Sequence, residues 1–138
     1  PEGIVSIGAG TGYWEALLAG RGLDVMAYDL NPPSTGKNPY KHTREWFPVR
    51  KGGPKMATKH SNRTLFLSWP PCRSRFAFVC LKRYQGAKVV YIGEGDGGCT
   101  GNDAFHDELV QWELEKEVAI PQWEYIHDRM MLYRRRSK

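Results

Sequence analysis

Short apolar runs alternate along the chain with segments whose apolar residues recur at helical spacing. Ile4-Val5-Ser6-Ile7 stops at Gly8 and reads as a buried strand. Tyr13 to Ala19 follows as a short helix, with Trp14, Leu17 and Leu18 on one face and Gly20 as its stop. Val25-Met26-Ala27-Tyr28 is a second strand that ends in Asp29. Residues 31–48 carry Pro32, Pro33, Gly36, Pro39 and Pro48, which excludes a long helix and predicts a loop, with aromatic weight from Tyr40, Trp46 and Phe47. Phe47-Pro48-Val49 fits a short third strand, and Pro54 to His60 fits one or two helical turns.

The second half repeats the pattern. Thr64-Leu65-Phe66-Leu67-Ser68 is a strand stopped by Trp69-Pro70-Pro71. Ser74 caps a helix in which Ala77, Cys80, Leu81 and Tyr84 share a face, and Gly86 ends it. Lys88 to Ile92 is another buried strand. A glycine-rich loop, Gly93 to Gly101, leads to a helix expected from Asp103 to Leu114, with Phe105, Leu109 and Trp112 on its inner face. Val118-Ala119-Ile120 and Met130-Met131-Leu132-Tyr133 read as strands. Their connection is too short for a crossover helix, so they are expected to run antiparallel. The prediction is one α/β domain over residues 1–138: a mostly parallel sheet, helices on both faces, and an antiparallel strand near the C-terminus.

Composition narrows the class. The 138 residues are 41% hydrophobic and 25% charged, ordinary for a water-soluble domain, and no apolar run approaches membrane-spanning length. Cys72, Cys80 and Cys99 form no CxxC pair, which points to a reducing, cytoplasmic compartment. The scattered His42, His60, His106 and His127 suggest no metal site. The start at Pro1, without an initiator Met, suggests that residues upstream are missing, which leaves room there for a helix or lid.

The net charge of +5 is unevenly spread. Ser34 to Arg63 holds eight Lys/Arg against Glu45, whereas Glu94 to Glu117 holds eight acids against Lys116. A basic stretch can bind nucleic acid through phosphate contacts, and a solvated loop is the plainer reading. Gly36-Lys37-Asn38 lacks the residues of a phosphate-binding motif.

The chemistry is concentrated at Gly8-Ala9-Gly10-Thr11-Gly12, between the first strand and the first helix. Glycines there permit positive φ and let a ligand approach the backbone. In open α/β sheets such a turn faces the ligand crevice. A purely structural turn is the alternative. Tyr13 stands where dinucleotide-binding turns place their last glycine. Asp29, at the end of the second strand, can accept both hydroxyls of a ribose.

Ile4 to Trp14 followed by Val25 to Asp29 resembles the first two motifs of Rossmann-like class I S-adenosylmethionine-dependent methyltransferases. The resemblance implies that Gly8, Ala9, Gly10, Thr11 and Gly12 pack against the amino-acid part of the donor. It implies likewise that Asp29, with Leu30 beside it, holds the ribose. That family often carries Asp or Glu two residues before the first glycine, and this chain has Ser6, whose hydroxyl can bond the donor's ammonium without charge pairing.

Ser68-Trp69-Pro70-Pro71-Cys72 is similar to the polar-Pro-Pro-aromatic step of amino-group methyltransferases, but Trp69 fills the polar slot and Cys72 the aromatic one. A rigid corner with Trp69 packed inside, and a wall for the donor's methyl end or the acceptor, are the two other readings. Ser68 and Trp69 therefore join the candidate cofactor site. In the Gly93–Gly101 loop, Glu94 is a candidate base or amine acceptor, against a flexible loop with solvated acids.

No residue presents itself as a general base. The expected cofactor is S-adenosylmethionine and the expected reaction methyl transfer, to a small molecule, nucleic acid or protein. The rival readings are a NAD- or FAD-dependent oxidoreductase domain and a non-catalytic nucleotide- or nucleic-acid-binding module.

Overall fold

The computed structural model describes residues 3–38 and 44–137. Pro39, Tyr40, Lys41 and His42 lie outside the described residues, as do Pro1 and Glu2. The elements in chain order are β1 (Ile4–Ile7), α1 (Tyr13–Gly20), β2 (Val25–Asp29), β3 (Arg50–Lys51), α2 (Lys55–Lys59), β4 (Thr64–Ser68), α3 (Phe76–Arg83), β5 (Lys88–Gly93), α4 (Asp103–Leu109), β6 (Trp112–Val118) and β7 (Arg129–Arg135). One turn of 3₁₀ helix, Pro33–Thr35, interrupts the proline-rich loop.

The strands form one sheet in the order β3-β2-β1-β4-β5-β7-β6. β1 to β5 are parallel, with Ser6 level with Ala27 on one side and Phe66 on the other. β7 runs antiparallel to both β5 and β6. Helices cover both faces. Val5, Leu65, Leu67, Val89 and Tyr91 point to one face and pack with Ala57 of α2, Ala77, Cys80 and Leu81 of α3, and Phe105 and Leu109 of α4. Ile4, Phe66 and Ile92 point the other way, toward Trp14 and Leu18 of α1. This two-sided burial is why the central strands read as continuous apolar runs. Burying each large apolar side chain stabilises the fold by about 1.5–3 kcal/mol.

The C-terminal third differs from the expectation. The helix expected from Asp103 to Leu114 stops at Leu109, and Trp112 opens β6. Pairing with β7 accounts for this: the ladder runs from Trp112↔Arg135 to Val118↔Met130. Trp112 also stacks on Tyr84 at 6.2 Å, with the Arg135 guanidinium 4.4 Å from its ring centre. Of the strand expected at 118–120 only Val118 is in one, as the last residue of β6. The third strand lies at Arg50–Lys51 rather than 47–49; it pairs with Tyr28 and Asp29, and Pro48 has no N–H to give a ladder. The N-cap of α3 is Arg75 rather than Ser74; the Ser74 hydroxyl, one residue earlier, accepts from the Phe76 amide at 3.1 Å.

The sheet order reverses direction between β1 and β4. The carboxyl ends of β1, β2 and β4 therefore open on one crevice, the usual ligand position in such sheets.

Candidate functional site

A cleft of about 790 Å³ occupies that crevice. The glycine turn lies along it. Gly8 and Gly10 take φ of 82° and 61°, in the left-handed region that disfavours a Cβ. The amides of Gly8 and Ala9 both donate to the Tyr28 carbonyl, at 2.8 and 2.9 Å, which ties the turn to β2. Gly8, Ala9, Gly10 and Thr11 line the cleft. Gly12 does not: a Cβ there would sit 2.7 Å from the Phe47 Cβ, so this glycine admits the 44–49 segment behind the turn.

Asp29 faces the turn. Its Oδ2 accepts from the Gly10 amide at 3.0 Å and its Oδ1 from the Asn31 amide at 2.8 Å. Leu30, half-exposed, lines the cleft beside it. Asn38 fixes this arrangement from behind: buried, it donates through Nδ2 to the carbonyls of Gly10 at 3.2 Å and Asn31 at 2.9 Å. Nothing in the sequence singled out Asn38 for this role, because the contact spans a proline-rich loop with no periodicity.

Ser6 does not open to the cleft. It is 1% exposed, and its hydroxyl donates to Glu15 Oε2 at 3.2 Å. Glu15, also 1% exposed, does line the cleft, from the first turn of α1. Burial pushes its carboxyl up from the ordinary 4.5 to about 7, its own amide and the Ser6 hydroxyl pull it back, and the Asp29 charge raises it further. On the sequence Glu15 passes for an ordinary polar position of a short helix.

β4 ends at Ser68, and the chain leaves it through Trp69 with φ of 49°. A non-glycine residue in this region costs of order 1–3 kcal/mol and persists only when its surroundings hold it. Here the Trp69 amide donates to the Ile92 carbonyl at 2.8 Å, and the indole N–H donates to Asp128 Oδ2 at 2.9 Å. Trp69 is 40% exposed and borders the cleft, as does Ser68, so it is not packed inside as one reading of the corner had it. Asp128 is buried, and its Oδ1 has no hydrogen-bond partner.

The Gly93–Gly101 loop is built in rather than loose. Glu94 is 6% exposed and accepts from the Cys99 amide at 2.8 Å and the His127 amide at 2.9 Å. Those backbone donors, His127 first, hold its carboxyl below the usual range, so it is a bonded strut rather than a base or a solvated acid. Thr100 bonds Tyr91 and the Glu94 amide, and Gly101 N–H donates to the Pro70 carbonyl at 3.0 Å. The loop thus docks on the Trp-Pro-Pro corner and places Cys99 on the cleft wall. His106 is buried with its Nε2 on the Thr100 carbonyl, so it too braces the loop.

From the basic stretch, Trp46 reaches the cleft. It meets Tyr13 edge-on at 5.6 Å and carries the Arg44 guanidinium 4.1 Å from its ring centre. Among the described residues no group of three or more His, Cys, Asp or Glu side chains could hold a metal ion, and no helix is long and apolar enough to cross a membrane.

No protein-family model and no curated protein matches the sequence. Solved structures do. The chain matches a mutant of MtNAS in complex with S-adenosylmethionine at a TM-score of 0.61 and 15% identity, covering 97% of this chain and 55% of that one. It matches an S-adenosylmethionine-dependent methyltransferase from Anabaena variabilis at 0.58 and 11%, covering 98% and 77%. It matches SMU.1697c, a putative methyltransferase from Streptococcus mutans in complex with S-adenosylhomocysteine, at 0.53 and 12%, covering 96% and 88%. Against several of the matched proteins, MtNAS among them, the chain spans only 55% to 63% of their length. The fold is that of the Rossmann-like class I methyltransferases, with the 3-2-1-4-5-7-6 sheet and its C-terminal antiparallel pair.

Proposed function

We propose that this chain takes S-adenosylmethionine into the glycine-turn cleft and serves as the donor-binding domain of a methyltransferase. The observation that carries the reading is the carboxylate of Asp29, held against the turn by the Gly10 and Asn31 amides. A carboxylate has about four acceptor positions, and these two amides leave two, the number a ribose diol fills. Leu30 offers the adenine an apolar surface next to it. Gly8 and Gly10 let the rest of the donor lie against the backbone. Ser68 and Trp69 wall the β4 side and limit water at the reacting end. The donor, when bound, supplies the activated methyl group. The protein's part is to align the acceptor and exclude solvent.

A dinucleotide fits less well. Its pyrophosphate would rest on the turn, where Glu15 and Asp29 face the same cleft and oppose an anion. The neighbours that hold S-adenosylmethionine or S-adenosylhomocysteine support the reading at the level of fold. The acceptor belongs to a small molecule, a nucleic acid or a protein.

Titration calorimetry with S-adenosylhomocysteine, NAD and FAD tests this. Saturable binding of S-adenosylhomocysteine is expected, weakened about tenfold or more in Asp29→Ala, since charge-assisted hydrogen bonds to the ribose are lost. Binding of NAD or FAD without S-adenosylhomocysteine would overturn it. Incorporation of labelled methyl into fractionated cell extract would then identify the acceptor class.

A further inference from the structure

We infer that Cys72 and Cys99 form a reversible disulfide on the rim of the cleft, a thiol–disulfide switch that fastens the Gly93–Gly101 loop to the corner after β4. The inference does not depend on which ligand the cleft takes. Strand register carries it. Pro71 and Thr100 pair as an antiparallel bridge, and on one side of it the Gly101 amide donates to the Pro70 carbonyl at 3.0 Å. One step to the other side of the bridge, Cys72 stands opposite Cys99. Directly opposed residues of antiparallel segments lie about 4.5–5.5 Å apart at Cα and send their side chains to the same side. A disulfide asks for a Cα separation of about 4.4–6.8 Å, so the bridge already holds the pair at bonding range. Both thiols are free and exposed, and Cys99 lies on the cleft wall. Cys80 is 0% exposed, and burial pushes its thiol up to about 12, so it takes no part.

The loop has use for such a tie. Its tip, Gly95 to Gly98, is exposed and mostly glycine, so the loop is held through Glu94, Thr100 and Gly101 at its two ends. The oxidant is a low-molecular-weight disulfide such as oxidised glutathione. One cysteine thiolate attacks a sulfur of that disulfide, bonds to it, and displaces the other half as a thiolate. The second cysteine gives its proton to solvent and attacks the protein sulfur of the mixed disulfide, which expels the remaining half. The two cysteines lose two electrons and two protons, and the oxidant becomes two thiols. Excess thiol runs the exchange backward, and exposed disulfides are the ones most open to it. Glu94, through a hydrogen bond and its charge, holds the Cys99 thiol above its ordinary range, with slight desolvation and Cys72 adding to the effect. Cys99 therefore rests protonated, which suits a partner in exchange better than a nucleophile aimed at a ligand.

The test treats the folded chain with oxidised glutathione, blocks the remaining thiols, and maps the peptides by mass spectrometry. A cross-link between Cys72 and Cys99 within one chain is expected, lighter than the dithiol by two hydrogens and fully reversed by reduced glutathione. Cys80 is expected to be blocked only after unfolding. Glutathione held separately on Cys72 and on Cys99, a cross-link through Cys80, or bonds joining two chains would overturn the inference. In Cys99→Ser, and equally in Cys72→Ser, the surviving partner is expected to keep its glutathione as a stable mixed disulfide, because no thiol faces it to expel the adduct. In Cys80→Ser the cross-link is expected to form as in the wild type. A second measurement reads the tie itself. The oxidised wild type is expected to melt roughly 5–10 °C above the reduced one, a difference absent from Cys72→Ser. An oxidised chain that melts at the same temperature or lower would mean that the bridge does not hold the two sulfurs at bonding range.

Discussion

Glu15 holds its proton more tightly in the ligand-free fold than in the unfolded chain, and that has a consequence for stability. Its carboxyl titrates at about 7 in the folded chain against 4.5 when ordinary, so between those values the folded state binds more protons than the unfolded one. Stability contributed by the protonated form is present below about pH 4.5 and is lost as pH rises through about 7. Glu15→Gln keeps an acceptor for the Ser6 hydroxyl and removes the ionisation. Without ligand, the variant is expected to match the wild type at about pH 4 and to exceed it at about pH 8, by roughly 3 kcal/mol at most. Urea unfolding midpoints at the two pH values measure this. A wild-type-to-variant difference that is the same at both would remove Glu15 ionisation as its source.

At the scale of elements, the corner after β4 is where strain, bonding and site meet. Trp69 holds a left-handed conformation because Ile92 and Asp128 grip its two N–H groups, and its ring thereby stays on the cleft wall. Trp69→Phe keeps an aromatic ring and deletes the indole donor. The Asp128 carboxylate, already buried with one oxygen unpartnered, would then lose the partner of the other. The expected cost is about 1–3 kcal/mol of folding stability, read from denaturant unfolding; no loss would mean that the indole bond contributes nothing. Apart from β3, which is two exposed basic residues, the strand–helix alternation through β5 was legible because two-sided burial writes itself as unbroken apolar runs, and the Gly8 to Gly12 turn with Asp29 was legible because a turn and a strand end are local features. What was not legible is tertiary. Leu109 and Trp112 are three apart and suit one helical face, so only pairing with β7 reveals that the helix has ended between them. Glu15 passes for a solvated helix position until the sheet closes over it. Glu94 passes for a loose acid until the amides of Cys99 and His127, one of them 33 residues away, converge on it.

At the scale of the molecule, the strand order sends part of each charge block to an opposite edge of the sheet. β3 carries Arg50 and Lys51 at one edge, and β6 carries Glu113, Glu115 and Glu117 at the other. Both edges are blunted against pairing, the first by being two residues long and the second by its row of charges. The cleft lies between them and draws its walls from segments far apart in sequence: the turn after β1, the end of β2, Trp46, the corner after β4, and Cys99. A ligand seated there joins all of these, so it binds the folded chain and finds no site in the unfolded one. S-adenosylhomocysteine at one hundred times its dissociation constant is therefore expected to stabilise the fold by about 2.7 kcal/mol. For a chain of this length that is a rise in melting temperature of roughly 10 °C. NAD at the same concentration is expected to leave the melting temperature unchanged. Salt separates this site from the basic edge: binding of a polyanion at β3 would collapse between low and high salt, whereas the shift produced by S-adenosylhomocysteine should persist, because that ligand is a zwitterion without net charge and displaces few counterions. A shift that vanishes at high salt would place the ligand on the charged surface instead of in the cleft.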